Sequence, residues 1–137
     1  MLDEAAIAAL YERMGPDNLQ AMVTDFYEQV PTDDILGPMY PPEDLAGAQR
    51  RLLSFLTFRF GGPQDYLQER GHPRLRMRHA PFVVDQAARD RWVELMDRSI
   101  DRLTLPSDVV GTLKEFLHHI ATFLINRNDV ELQTFSS

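Results

Sequence analysis

Between its prolines and glycines this chain repeats apolar residues every three to four positions rather than every second one, a spacing that buries one face of a helix and suits no strand. The reading is therefore all-α. The nine prolines and seven glycines mark the breaks between segments. An amphipathic opening covers about residues 3–13, and Gly15-Pro16-Asp17 starts a second helix with Leu19, Met22, Val23, Phe26, Tyr27 and Val30 on one face, closed by Pro31. Residues 32–39 leave room for only a short turn. Pro42 then suits the first position of a central helix running to about Arg59, with Leu45, Ala48, Leu52, Phe55 and Leu56 as its stripe and Leu53 and Phe60 on a second flank. Breakers at Gly71, Pro73 and Pro81 confine residues 64–84 to short helical pieces. Asp85 can cap a long helix carrying Trp92, Leu95, Met96, Ser99, Ile100 and Leu103. Beyond Pro106 a last helix aligns Val109, Val110, Leu113, Phe116, Leu117, Ile120, Phe123 and Leu124 and is expected to end near Arg127.

A chain of 137 residues suits one domain, here expected over residues 1–127, with the polar, aperiodic residues 128–137 expected as a flexible tail. Hydrophobic residues at 44% and charged ones at 26% are the proportions of a soluble globular protein. The net charge of −7 argues against sequence-independent binding to nucleic-acid phosphates. Cysteine is absent, which removes disulfides, thiolate nucleophiles, thiolate-ligated iron and covalent haem attachment. The acidic start Met-Leu-Asp-Glu and the lack of a long apolar run lead to the expectation of a cytoplasmic protein without a membrane partner.

The breaker-rich middle holds the least ordinary chemistry. Residues 70–79 read Arg-Gly-His-Pro-Arg-Leu-Arg-Met-Arg-His, with four arginines, two histidines and no acid in an otherwise acidic chain. Arginine forks suit carboxylates and phosphates, although such clusters are commonly solvated surface. His79 has Leu75 one turn before it and Phe82 three residues after it, so it can present an imidazole among apolar neighbours; a lone histidine of this kind is ordinarily a structural residue. Glu115-x-x-His118 has the spacing of a di-iron helix motif, but its only partner, Glu69-x-x-His72, is spoiled by Gly71 and Pro73. No nucleophile elbow or phosphate-cradling loop is present. Tyr27, Tyr40 and Trp92 form a third group, polar-tipped aromatics that seek hydrogen-bond partners when buried. The small pair Gly47-Ala48 on the facing helix leaves space opposite them.

The run Phe60-Gly-Gly-Pro63, Tyr66, Arg70 through Phe82, Arg89-Asp90-x-Trp92 and Met96 closely resembles the group II truncated haemoglobins, and the likeness extends upstream through Phe26-Tyr27 and Tyr40-Pro-Pro-Glu-Asp-Leu-Ala-Gly-Ala48 to cover about residues 11–127. The resemblance implies a shortened globin, a two-over-two sandwich of antiparallel helix pairs around one non-covalent haem b. By the same resemblance His79 stands at the proximal iron ligand, Arg51 and Arg78 at positions that neutralise haem propionates, and Tyr66 at a position that can hydrogen-bond there. Arg76, Met39, Leu52, Ala48, Phe82 and Met96 complete the expected haem contacts. Tyr27, Tyr40 and Trp92 surround the bound gas, and Ala48 occupies the position where many globins carry a distal histidine. The chain departs from the family pattern at Gly15-Pro16, where a glycine pair is common, and at Phe60, where some members have tryptophan.

The implied function is binding of O2, CO and NO at a histidine-ligated iron, with slow O2 release suited to redox or detoxifying chemistry rather than transport. The alternatives are a haem enzyme acting on peroxide or on NO, which needs an external reductase, and a haem-free helical interaction module.

Overall fold

The computed structural model describes residues 2–63 and 85–136, with side chains through Phe123. Six α-helices are described: α1 (Glu4–Ala8), α2 (Leu10–Met14), α3 (Pro16–Gln29), α4 (Leu45–Arg59), α5 (Gln86–Asp101) and α6 (Ser107–Ser136), with no strand among the described residues. Short 3-10 turns at Val30–Thr32, Gly37–Met39 and Pro42–Asp44 carry the chain from α3 to α4. Helix α3 packs on α4, α5 packs on α6, and α3 also packs on α5, so the two consecutive pairs close on each other.

The opening segment is two helices rather than one. Asp3 caps α1 by accepting from the Ala6 amide at 3.1 Å. At Ala9 the helix breaks because the Tyr11 amide donates to the Phe60 carbonyl at 3.0 Å instead of continuing the α1 ladder. The same junction fixes Gly61. Its φ is +87°, and a Cβ there would lie 2.1 Å from the Ala8 carbonyl oxygen, so only glycine lets the end of α4 approach α1 this closely.

Helix α3 starts as read from the sequence, with Gly15 at φ +86° and Pro16 at its first position. Leu19, Met22, Val23, Phe26 and Val30 are fully buried, with Tyr27 nearly so. Asp33 then turns the chain, its carboxylate accepting from the amides of Ile35 (3.0 Å) and Leu36 (2.8 Å). Pro42 opens a 3-10 turn that leads into α4 rather than α4 itself. Gly47, Ala48, Leu52 and Leu56 are the buried face of α4, while Leu45, Leu53 and Phe55 are only partly covered.

Asp85 caps α5, accepting from the Ala88 amide at 2.8 Å, and the expected stripe from Trp92 to Ile100 is buried. On α6, Val109, Leu113, Phe116 and Leu117 enter the core, but Phe123 is exposed. Helix α6 continues to Ser136, past the expected helix end at Arg127. No proline or glycine follows Gly111, and Glu131, Leu132 and Gln133 are good helix formers, so nothing local stops the ladder.

Candidate functional site

Four aromatic rings meet where α3, α5 and the segment before α4 converge. Phe26 and Tyr27 contact edge to face at 5.0 Å between centroids, Phe26 and Trp92 lie 5.3 Å apart, and Tyr27 and Tyr40 meet edge to face at 5.7 Å. Tyr27 and Trp92 are buried. Tyr40 is half-buried as a residue, with its hydroxyl end enclosed.

The hydroxyl of Tyr40 faces both Trp92 and Tyr27, near enough for each to lower its pKa. The Trp92 indole N–H can only donate, whereas a phenol hydroxyl can donate or accept. Burial pushes Tyr40 up to about 12, against the downward pull of Trp92 and Tyr27. Burial also holds Tyr27 well above the usual tyrosine value, helped by Tyr40 and opposed by the Arg51 charge. Both phenols keep their protons at neutral pH and act as neutral hydrogen-bonding groups.

The apolar surroundings come from α4 and α5. Ala48, Leu52 and Met96 are buried, and Met39 packs partly buried against the same core. Gly47 does not contribute open space, contrary to the reading of the Gly47-Ala48 pair. The place of its missing Cβ is taken by the Asp44 carboxylate at 2.6 Å and the Arg51 guanidinium at 3.0 Å. Arg51 donates to Asp44 at 2.6 and 3.3 Å with most of its side chain buried, close enough for its charge to act on Tyr27.

The structure thus brings Tyr27, Tyr40 and Trp92 together, with Arg51 at their edge. Tyr66, Arg76, Arg78, His79 and Phe82 lie outside the described residues. Sequence reasoning missed two supports. Arg91, the residue before Trp92, donates to Asp33 at 2.6 Å and to Asp34 at 2.8 Å, tying the chain ahead of Tyr40 to the helix that carries Trp92. Gln49 donates to Thr24 at 2.9 Å and locks α4 to α3. Neither pair has a periodic signature; only the position of Arg91 beside Trp92 could have pointed to it.

Among the described residues the di-iron spacing gathers no site. Glu115 is exposed, while the His118 imidazole pairs with the Asp97 carboxylate at 2.9 Å. A separate groove of about 510 Å³ between α3 and α5, bordered by Asp17, Asp25, Glu28 and Arg102, shares no residue with the aromatic cluster. Among the described residues no helix is long and apolar enough to cross a membrane.

The family profile described as bacterial-like globin matches residues 9–126. This chain belongs to that family. A group 2 truncated hemoglobin of Bacillus subtilis is 35% identical over 123 residues, covering 90% of this chain and 92% of the relative. The hemoglobin of Thermobifida fusca is 42% identical and superposes with a TM-score of 0.80, covering 85% of this chain and 96% of that one. A truncated oxygen-avid haemoglobin of Bacillus subtilis superposes with a TM-score of 0.78 at 35% identity, covering 85% of this chain and 98% of the other. The fold is therefore the two-over-two sandwich of the group II truncated haemoglobins, and haem b is the cofactor that goes with it. The described residues of this globin suit that group in kind: polar-tipped aromatics lie beside buried aliphatic side chains, and a largely buried guanidinium, paired with Asp44, stands next to them. With no cysteine in the chain, this globin has no thiol with which to bind haem covalently.

Proposed function

We propose that this truncated haemoglobin binds O2, CO and NO at a haem iron ligated by His79 and releases O2 slowly. The observation that carries the reading is the packing of Tyr27, Tyr40 and Trp92 together against an apolar core. Haem b, when bound, would supply a ferrous iron able to take a diatomic gas. Neutral donors of Tyr27, Tyr40 and Trp92, fixed in an apolar setting, would favour negative charge developing on O2 without having to reorganise. At about 1.5 to 3 kcal/mol per hydrogen bond to a charged acceptor, two such donors slow release by about 10² to 10⁴ fold. The oxygen avidity stated for the Bacillus subtilis structure supports the same direction.

Slow release favours redox or detoxifying chemistry over transport. Tyr66, Arg76 and Arg78 join Arg51 in the proposed grip on the haem, with Phe82, Met39, Leu52, Ala48 and Met96 as its apolar contacts. Enzymatic turnover of peroxide or NO is the second reading. It is favoured by the same protonated phenols, which can hydrogen-bond a leaving oxygen, and it requires an external reductase. The place of action proposed for the protein is the cytoplasm.

The test is the O2 dissociation rate of the haem-loaded chain beside its Tyr27→Phe and Trp92→Phe variants, with peroxide and NO turnover measured on the same samples. Faster release in the variants is expected. Unchanged rates in both would overturn the donor assignment, and turnover that persists without reductant would remove the reductase.

A further inference from the structure

Asp44 is the residue before α4, a position where aspartate ordinarily caps the helix by accepting from a backbone amide. Here its side chain makes no such cap. The carboxylate instead reaches two turns along α4 to Arg51, accepting from Nη2 at 2.6 Å and Nη1 at 3.3 Å. The path between them crosses Gly47. Any Cβ at that position would stand 2.6 Å from the Asp44 Oδ1 and 3.0 Å from the Arg51 Nη1, so a side chain at residue 47 would push the ends of both groups out of their present pairing.

The pair is a fixture at the edge of the pocket rather than a loose surface contact. Arg51 keeps only 16% of its side chain exposed, against 51% for Asp44. Both charges act on the Tyr27 hydroxyl, in opposite directions. Asp44 takes the edge of the guanidinium formed by its two terminal nitrogens, and the planar fork has five N–H donors in fixed directions. Further N–H groups therefore stay in a set orientation for a second carboxylate.

We propose that Asp44 and Gly47 are positioning residues that hold the Arg51 guanidinium against the first turns of α4, so that it meets a haem carboxylate in one orientation. The inference rests on the haem-binding reading and adds to it the device that aims Arg51. Asp44 acts through Arg51 and not on the haem itself, which sets the pattern a double-mutant cycle has to show.

The experiment compares the full-length chain with Asp44→Asn, Arg51→Gln and the double variant, following haem transfer to excess apomyoglobin. Asp44→Asn should lose haem about two- to fivefold faster, the range of a partly exposed ion pair, and should add nothing in the Arg51→Gln background. Slower loss in Asp44→Asn would make the carboxylate a competitor of the haem. An equal effect in both backgrounds, or none in either, would show that it does not act through Arg51. Each of those results overturns the proposal.

A second readout does not depend on haem affinity. In ¹⁵N NMR spectra of the chain as purified, the Arg51 guanidinium, assigned by its loss in Arg51→Gln, should show hindered rotation that disappears in Asp44→Asn and in Gly47→Ala. Hindered rotation surviving in Asp44→Asn would sink the role of the carboxylate, and its survival in Gly47→Ala would sink the role of the glycine. A chain that takes up no haem but gives this NMR pattern would refute the haem reading while leaving the Asp44 hold on Arg51 intact.

Discussion

Replacing Tyr40 with phenylalanine removes one oxygen and almost no volume, yet it should be the most damaging single-atom change in the aromatic cluster. The hydroxyl of Tyr40 faces both the Trp92 indole N–H and the Tyr27 hydroxyl, so its loss takes a polar partner away from two buried groups. A buried donor stripped of its partner costs about 1 to 3 kcal/mol, which places Tyr40→Phe at about 2 to 6 kcal/mol. Tyr27→Phe takes away only one polar partner, at a cost of about 1 kcal/mol. For a domain of this size those losses correspond to midpoint shifts of roughly 10 to 20 °C and roughly 4 °C. Thermal unfolding followed by far-ultraviolet circular dichroism, on carbonmonoxy protein at matched haem content, reads the difference. Equal shifts in the two variants, or a neutral Tyr40→Phe, would refute the central place of the Tyr40 hydroxyl.

Two further outcomes follow from the packing and the charges. Gly61→Ala should cost more than about 3 kcal/mol by urea titration, because φ is +87° and the new Cβ meets the Ala8 carbonyl at 2.1 Å, whereas Gly111→Ala, with nothing within 4 Å, should stabilise α6 by about 0.5 to 1 kcal/mol. Burial pushes the Asp33 carboxyl up, but the Leu36 amide, Arg91 and the Ile35 amide outweigh it and hold its pKa below the ordinary 3.8. Its contribution to stability is therefore complete above that value and lost as pH falls through the lower, folded one. Asp33→Asn should accordingly flatten the acid limb of the stability profile, and an unchanged limb would show that Asp33 does not carry it.

What was legible in the chain was whatever burial writes periodically. The α3 stripe from Leu19 to Tyr27, the Asp85 cap, the α5 stripe and the breaks at Pro31 and Pro106 appear where the residues put them. Contacts that depend on a distant partner were not legible. The break at Ala9 arises because the Tyr11 amide is drawn to Phe60, some fifty positions away, and the spacing of α1 and α2 carries no trace of it. Gly47 read as room beside the aromatics because sequence shows a missing side chain without showing what fills its place. The end of α6 was misplaced for the opposite reason: polarity at 128–136 argued for a tail, while the helix propensity of the same residues continued the ladder.

Tyr27, Tyr40 and Trp92 were identifiable as donors by residue type and by resemblance, but their packing against one another required the fold. Arg51 likewise announced a positive charge without announcing Asp44 as its partner. Buried polar networks are set by three-dimensional neighbours, and a linear pattern records only the residues capable of joining them.

The proposed grip of His79 on the haem iron is tested most directly by the absorption spectrum of the reduced full-length chain beside His79→Ala. The account predicts a strong Soret band in the parent protein that collapses or shifts in the variant and is recovered when free imidazole is added. A His79→Ala protein that keeps the parent spectrum unchanged would place the iron on another residue and contradict the account.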